Sequence, residues 1–188
     1  KSISACGAYA ASVITATTAQ NTQVVLDVHE IPISHIEKQM AAVFSDIKID
    51  AVKIGMLHSC EVITCVKEKL KSAAVEHLVL DPVMVATSGD VLITEQAVGC
   101  LKAFLPCATL ITPNMAEASL LLGHPISPDQ IKSSARILGE VFGTSVLLKG
   151  GQINGSSHQI ADVFYHEDTK KAHVVTHQRI NTKNTHGS

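Results

Sequence analysis

The chain lacks a dominant charge. Its 188 residues carry 15 Lys and Arg against 17 Asp and Glu, a formal net charge of -2. No basic field is present of the kind that holds nucleic acid. No uninterrupted apolar stretch approaches the length needed to span a bilayer, so no membrane is expected as a partner. The five cysteines (Cys6, Cys60, Cys65, Cys100, Cys107) form no CxxC pair. The ten histidines include no HExxH, and no zinc site is read from either set. The cysteines read instead as reduced thiols of a cytosolic or organelle-stroma protein. Several catalytic signatures are missing too. There is no Walker A loop, no kinase Gly-rich loop with a downstream His-Arg-Asp, no GxSxG elbow and no GxGxxG fingerprint. Each absence removes one large class of enzyme.

What is present is an apolar chain, 46% hydrophobic and 17% charged, long enough for a sizeable core. No shift in composition marks a second domain, and no internal repeat is visible, so residues 1–188 read as one domain. The first residue is Lys1 and the last ones, Asn184 to Ser188, are small and polar, so both ends look cut. Ala16-Thr17-Thr18-Ala19 resembles a signal-peptide cleavage site. The Val-, Ile- and Thr-rich segment around it suits a strand better.

The organising stretch is Leu78-Val79-Leu80-Asp81-Pro82-Val83-Met84. Such an apolar run suits a strand buried between helical layers, and Pro82 stops it beside Asp81. Ligands bind past the carboxyl ends of strands in open α/β sheets, which makes Asp81 a candidate functional group. The plainer reading is a turn opener. Periodicity and breakers assign strands at Ala11–Thr18, Val24–Val28, Ala51–Ile54, Ala108–Thr112 and Ser145–Leu148, and a hairpin at Ile160–Tyr165 and Ala172–Ile180. Helices are assigned to Lys1–Ala8, Ile33–Ile47 with a Ser34/Glu37 capping box, Ser59–Ala74, Thr94–Phe104, Asn114–Leu122 and Ser127–Phe142. Alternating strands and helices imply right-handed βαβ units, hence an α/β fold: a mainly parallel sheet in a three-layer α/β/α arrangement.

Parallel order places three polar groups on one edge: Asp81, Asn114 with Glu117, and Lys149. Two carboxylates, an amide and a lysine suit a polyphosphate carrying Mg2+, which takes hard oxygen ligands and shares them with phosphates. Each residue also has a plainer role. Asn114 and Glu117 form a helix cap. Lys149-Gly150-Gly151 is either a phosphate-holding corner with accessible N–H groups or a turn with a snorkelling lysine. Gln20 is a donor and acceptor for a heteroaromatic edge, or part of a polar loop. Met56 is pocket padding, or core.

On these residues the chain resembles a known family. The ordered set runs Thr18-Ala19-Gln20-Asn21-Thr22, Asp50 to Leu57, Asp81-Pro82-Val83-Met84 with Ser88-Gly89-Asp90, Thr112-Pro113-Asn114 with Glu117-Ala118, Leu148-Lys149-Gly150-Gly151 and Thr182 to Gly187. It is similar to the hydroxymethylpyrimidine/phosphomethylpyrimidine kinases of thiamine biosynthesis, in the ribokinase superfamily. The resemblance implies ATP- and Mg2+-dependent phosphorylation of hydroxymethylpyrimidine and then of its monophosphate. It implies that Gln20, Met56 and Val83 meet the pyrimidine. Asp81 and Glu117 would serve Mg2+, Asn114 and Lys149 the ATP phosphates, and Gly187 would begin an anion-hole loop.

The family's first strand with its Gly-rich loop, and the Gly-Cys and helix after Ser188, are not in this chain. No residue here is therefore assigned as the catalytic base, and the 188 residues alone are expected to have little activity. A vitamin B6 kinase is the enzymatic alternative, and a non-catalytic pyrimidine-binding or regulatory domain is the alternative of another class. The resemblance also allows a homo-oligomer and a fused thiamine-phosphate synthase domain. It places the protein in the cytoplasm, or in the plastid stroma if plant-like.

Overall fold

The computed structural model describes residues 2–21, 24–84, 93–151 and 159–178. The motif around Ser88 and the Gly187 loop lie outside these residues. After the short α1 (Ser2–Ala5), an antiparallel ribbon pairs β1 (Ala16–Gln20) with β2 (Val25–Glu30). The main sheet has six strands in chain order: β3 (Val52–Ile54), β4 (Leu78–Leu80), β5 (Leu110–Ile111), β6 (Ser145–Gly151), β7 (Gln159–His166) and β8 (Lys171–Gln178). The first four are parallel, and the last two form the expected antiparallel hairpin. The helices are α2 (Ile33–Asp46), α3 (Cys60–Ser72), α4 (Glu95–Lys102), α5 (Met115–Leu122) and α6 (Ile131–Phe142). None is long and apolar enough to cross a membrane.

Parallel strands that neighbour one another in chain order, joined by right-handed crossovers, carry their helices on one face. Burial follows that rule. Ile54, Leu78, Leu80, Ile111, Val146 and Leu148 form one alternating set, each 6% exposed or less, in the core beneath the helices. The other set, Lys53, Val79, Leu110 and Leu147, is half-buried or exposed. The α/β sheet with flanking helices is as expected, and α3 to α6 supply one of its outer layers. Three helices start on side-chain caps, at the places where the sequence opens them. Ser59 accepts from the Val62 N–H, Thr94 from that of Ala97, and Asn114 from that of Glu117.

Four local expectations are corrected. The first strand begins at Ala16, not Ala11. The Gln39 side chain of α2 clamps Ile14 instead, accepting its N–H at 2.9 Å and donating to its C=O at 3.0 Å. That satisfies the backbone without a partner strand. The Ser34/Glu37 box is not formed, because α2 already starts at Ile33 with Pro32 at its N-cap, two residues before Ser34. The helix expected from Ser127 opens as a 3-10 turn, Pro128–Gln130, before α6. Finally, the five thiols are not all reduced: Cys60 and Cys100 form a disulfide, their Cα atoms 5.5 Å apart. Neighbouring crossovers lay α3 beside α4 on one face and so bring together cysteines 40 residues apart. Cys65 is a buried free thiol, and Cys6 and Cys107 are exposed ones.

Candidate functional site

The sheet ladder continues past the formal strand ends and fixes the site backbone. The Asp81 N–H donates to the Ile54 carbonyl at 2.9 Å, and the Thr112 N–H to the Leu80 carbonyl at 3.1 Å. The Lys149 N–H donates to the Pro113 carbonyl at 2.9 Å, and Asn114 bridges Lys149 in parallel register. Asp81, Asn114 and Lys149 therefore share the carboxyl edge of the parallel strands, as expected. The Val83 N–H donates back to the Asp81 carbonyl at 2.8 Å, which turns the chain directly after the carboxylate.

The side chains converge on Asp81. Lys149 Nζ lies 3.2 Å from its Oδ1 and Lys53 Nζ 3.3 Å from its Oδ2. The Thr112 hydroxyl donates to Oδ1 at 3.0 Å. Strand alternation puts Lys53, Asp81 and Thr112 on the sheet face opposite the crossover helices. Lys53 and Thr112 carry no role in the sequence reading. A lysine between Val52 and Ile54 in a buried strand was the available signal for the first. Thr112 read as the last strand residue before Pro113.

Asn114 and Glu117 close the capping box that the sequence predicts. The Asn114 N–H donates to Glu117 Oε2 at 2.8 Å, and the Glu117 N–H to Asn114 Oδ1 at 2.9 Å. The cap engages the Asn114 carbonyl and leaves its Nδ2 donors for another acceptor. Structural and chemical roles are thus compatible at both residues. Glu117 is 2% exposed. Burial pushes its carboxyl above the ordinary range. The Asn114 N–H opposes that rise, the Asp81 charge adds to it, and Lys149 and the Met84 N–H draw it down. Asp81 and Lys149 both stand close enough to Glu117 to act on its carboxyl.

The Lys149 corner differs from expectation. β6 continues to Gly151 through an irregularity after Leu148, with Gly150 at φ 84°. The Gly150 N–H donates to Asp162 Oδ1 at 2.8 Å. The backbone N–H groups of Lys149 and Gly150 are therefore engaged within the sheet, and the ammonium is the group that Lys149 offers. Asp162 on β7 fixes this corner and was not foreseen.

The loop after β3 carries Met56, which is half-buried, as is Val83. This loop is tied to the ribbon, since the Thr15 hydroxyl donates to the Met56 carbonyl at 3.0 Å. Buried His58 also places Nε2 3.2 Å from Glu30 Oε1. Gln20 is exposed at the end of β1, where its Oε1 accepts from the Thr18 hydroxyl at 3.3 Å. Five residues of extended chain, roughly 16 Å, separate it from Thr15. Among the described residues no hydrogen bond links Gln20 to Met56, Val83 or Asp81; the ribbon meets the loop through Thr15, just before β1, and Glu30 of β2.

The same arrangement has relatives. A family model for phosphomethylpyrimidine kinase matches residues 1–188. The chain is 44% identical over its full length to the chloroplastic thiamine biosynthetic bifunctional enzyme of Arabidopsis thaliana, covering 36% of that protein. It is 41% identical over its full length to a hydroxymethylpyrimidine/phosphomethylpyrimidine kinase of Rhizobium meliloti, covering 70% of it. A crystal structure of phosphomethylpyrimidine kinase from Clostridium difficile aligns with a TM-score of 0.80 at 38% identity, over 92% of this chain and 73% of that one. An ADP complex of pyridoxal kinase from Bacillus subtilis aligns with a TM-score of 0.79 at 27% identity, over 93% of this chain and 66% of that one. The chain thus spans between about a third and seven-tenths of the lengths of these curated relatives. With a family match along its whole length and its polar strand ends gathered round Asp81, the chain belongs to the phosphomethylpyrimidine kinase family.

Proposed function

We propose that this chain transfers the γ-phosphoryl group of ATP to the hydroxymethyl oxygen of 4-amino-5-hydroxymethyl-2-methylpyrimidine, and then to the resulting monophosphate. The observation that carries the reading is Asp81, paired with two lysines at the carboxyl edge beside buried Glu117. Asn114 and Lys149 hold the ATP phosphates. Lys149 is suited to move, because its side chain is 39% exposed and its ammonium exchanges one oxygen partner for another without being dehydrated afresh. Met56, Val83 and Gln20 meet the pyrimidine.

The donor set fits Mg2+ rather than a fully protein-ligated metal. Among the described residues no three His, Cys, Asp or Glu cluster tightly enough to enclose an ion. Asp81 and Glu117 offer hard oxygens and leave positions for water and phosphate. The ion, when bound, offsets phosphate charge during transfer. Lys149 offsets the same charge from the protein side, and the Thr112 hydroxyl keeps the Asp81 carboxylate turned toward it.

By this reading the protein works in a bacterial cytoplasm or a plant plastid, and a fused thiamine-phosphate synthase domain accompanies it in the plant-like case. The test is turnover by the full-length protein with Mg2+ and ATP. ADP release and 31P spectra are followed with the pyrimidine alcohol, its monophosphate and pyridoxal as acceptors. The expected result is mono- and diphosphate formation, with kcat/KM for the pyrimidine about tenfold or more above that for pyridoxal. A preference for pyridoxal would make the protein a vitamin B6 kinase. Pyrimidine binding without turnover would make it a regulatory domain.

A further inference from the structure

Asp81 is paired twice. Its Oδ2 faces Lys53 at 3.3 Å and its Oδ1 faces Lys149 at 3.2 Å. One carboxylate offsets one ammonium, so the pair of lysines keeps a net positive charge for an anion. The two approach from opposite directions across the sheet. Lys149 stands on β6, two strands from β4, and Lys53 stands on β3, the neighbour on the other side.

Lys53 lies on the same strand and loop as Met56, three residues before it. Its ammonium arches over Gly55, 4.0 Å from where a Cβ would stand, and so reaches the sheet edge from inside the strand. Its side chain is 56% exposed, against 39% for Lys149. It can exchange Asp81 for another anion with little desolvation.

We infer that Lys53 is the cation that receives the phosphate of a monophosphate acceptor, and that it sets how well the site uses such an acceptor relative to the alcohol. The inference rests on the kinase reading above and deepens it. The two transfers make different demands. With the alcohol, the hydroxymethyl oxygen forms a bond to the γ-phosphorus, the bond from that phosphorus to the β–γ bridging oxygen breaks, ADP departs, and the hydroxyl proton must be taken up. With the monophosphate, a phosphate oxygen forms the new bond and the same bond to ADP breaks. The attacking dianion carries no proton on that oxygen, but it approaches a second polyanion. The second transfer therefore needs a cation on the acceptor side. Lys149, engaged with the nucleotide, does not supply it, whereas Lys53 stands where one is required.

The experiment compares wild type, Lys53→Met and Lys53→Arg in the full-length protein. Initial rates are measured with the pyrimidine alcohol and with its monophosphate, and binding of each acceptor is measured calorimetrically without ATP. Loss of one charge-assisted contact predicts that Lys53→Met raises KM and Kd for the monophosphate about ten- to a hundredfold. The alcohol reaction should lose about tenfold less, through the loosened Asp81, and Lys53→Arg should restore most of the monophosphate binding. Equal losses for both acceptors, or no loss for the monophosphate, overturn the inference. If Lys53→Met unfolds, Lys53→Gln is read in the same way. A wild-type protein that phosphorylates neither acceptor removes the kinase reading itself. A wild type active on both, with an even loss in the variant, removes the Lys53 assignment alone.

Discussion

Glu117 holds a cap and a charge at once, and the two make opposite demands on its proton. The Asn114 N–H favours the carboxylate, while burial and Asp81 disfavour it and leave the carboxyl above its ordinary range. The folded protein then binds that proton more tightly than the unfolded chain does. By linkage, the ionised group costs stability above the unfolded carboxylate value, and the cost fades as pH falls through the raised folded one. Glu117→Gln keeps an oxygen for the Asn114 N–H and removes the charge. Without divalent cations at pH 7 it should melt at the wild-type temperature or above, and the difference should shrink on acidification. Its affinity for ATP in the presence of Mg2+ should fall about tenfold. A lower melting temperature at pH 7 would show that the charge stabilises the fold. The placement of Asp81, Asn114 and Lys149 on one edge was legible because each stands where an apolar run meets a proline or glycine, and Glu117 was legible as the partner of Asn114 in a capping box. Lys53 and Thr112 were not, since a side chain inside a strand betrays neither its face nor its neighbour in the next strand.

At the scale of elements, α6 packs on β7 through a missing side chain. A Cβ on Gly139 would stand 2.3 Å from the Tyr165 ring, which is fully buried. Gly139→Ala should destabilise by about 1–3 kcal/mol. For a chain of this size that lowers the melting temperature by roughly 2–4 °C for each kcal/mol. Gly99 in α4 has no atom within 4 Å of its Cβ position. Gly99→Ala should therefore raise stability by about 0.5–1 kcal/mol, as an unobstructed helical glycine does. Thermal unfolding of the two variants checks both signs, and equal behaviour would contradict the packing account. The starts of α3, α4 and α5, capped by Ser59, Thr94 and Asn114, were read from sequence to within one residue. Ser34 was not a cap, because Pro32 already starts α2 and places Ser34 inside the first turn. The early strand failed for a tertiary reason: Gln39 takes both backbone groups of Ile14.

Across the whole molecule, parallel strand direction converts a linear list into a site. Crossovers that return each strand parallel to the last carry the carboxyl ends of β3 to β6 to one edge, and their right hand keeps the helices on one face. That much followed from the alternation of strands and helices. The sequential strand order did not, nor did the Cys60–Cys100 bridge between adjacent crossover helices, because sequence spacing does not say which crossovers lie side by side. In the proposed kinase, Asp81 and Lys149 act as one unit on nucleotide phosphates. Calorimetric titration of ATP with Mg2+ into full-length wild type, Asp81→Asn, Lys149→Met and the double variant measures that coupling. Lys149→Met is expected to weaken binding about tenfold or more in the wild-type background, and this factor is expected to change about threefold or more once Asp81 is neutralised. The same factor in both backgrounds, or undiminished binding by Lys149→Met, would contradict it.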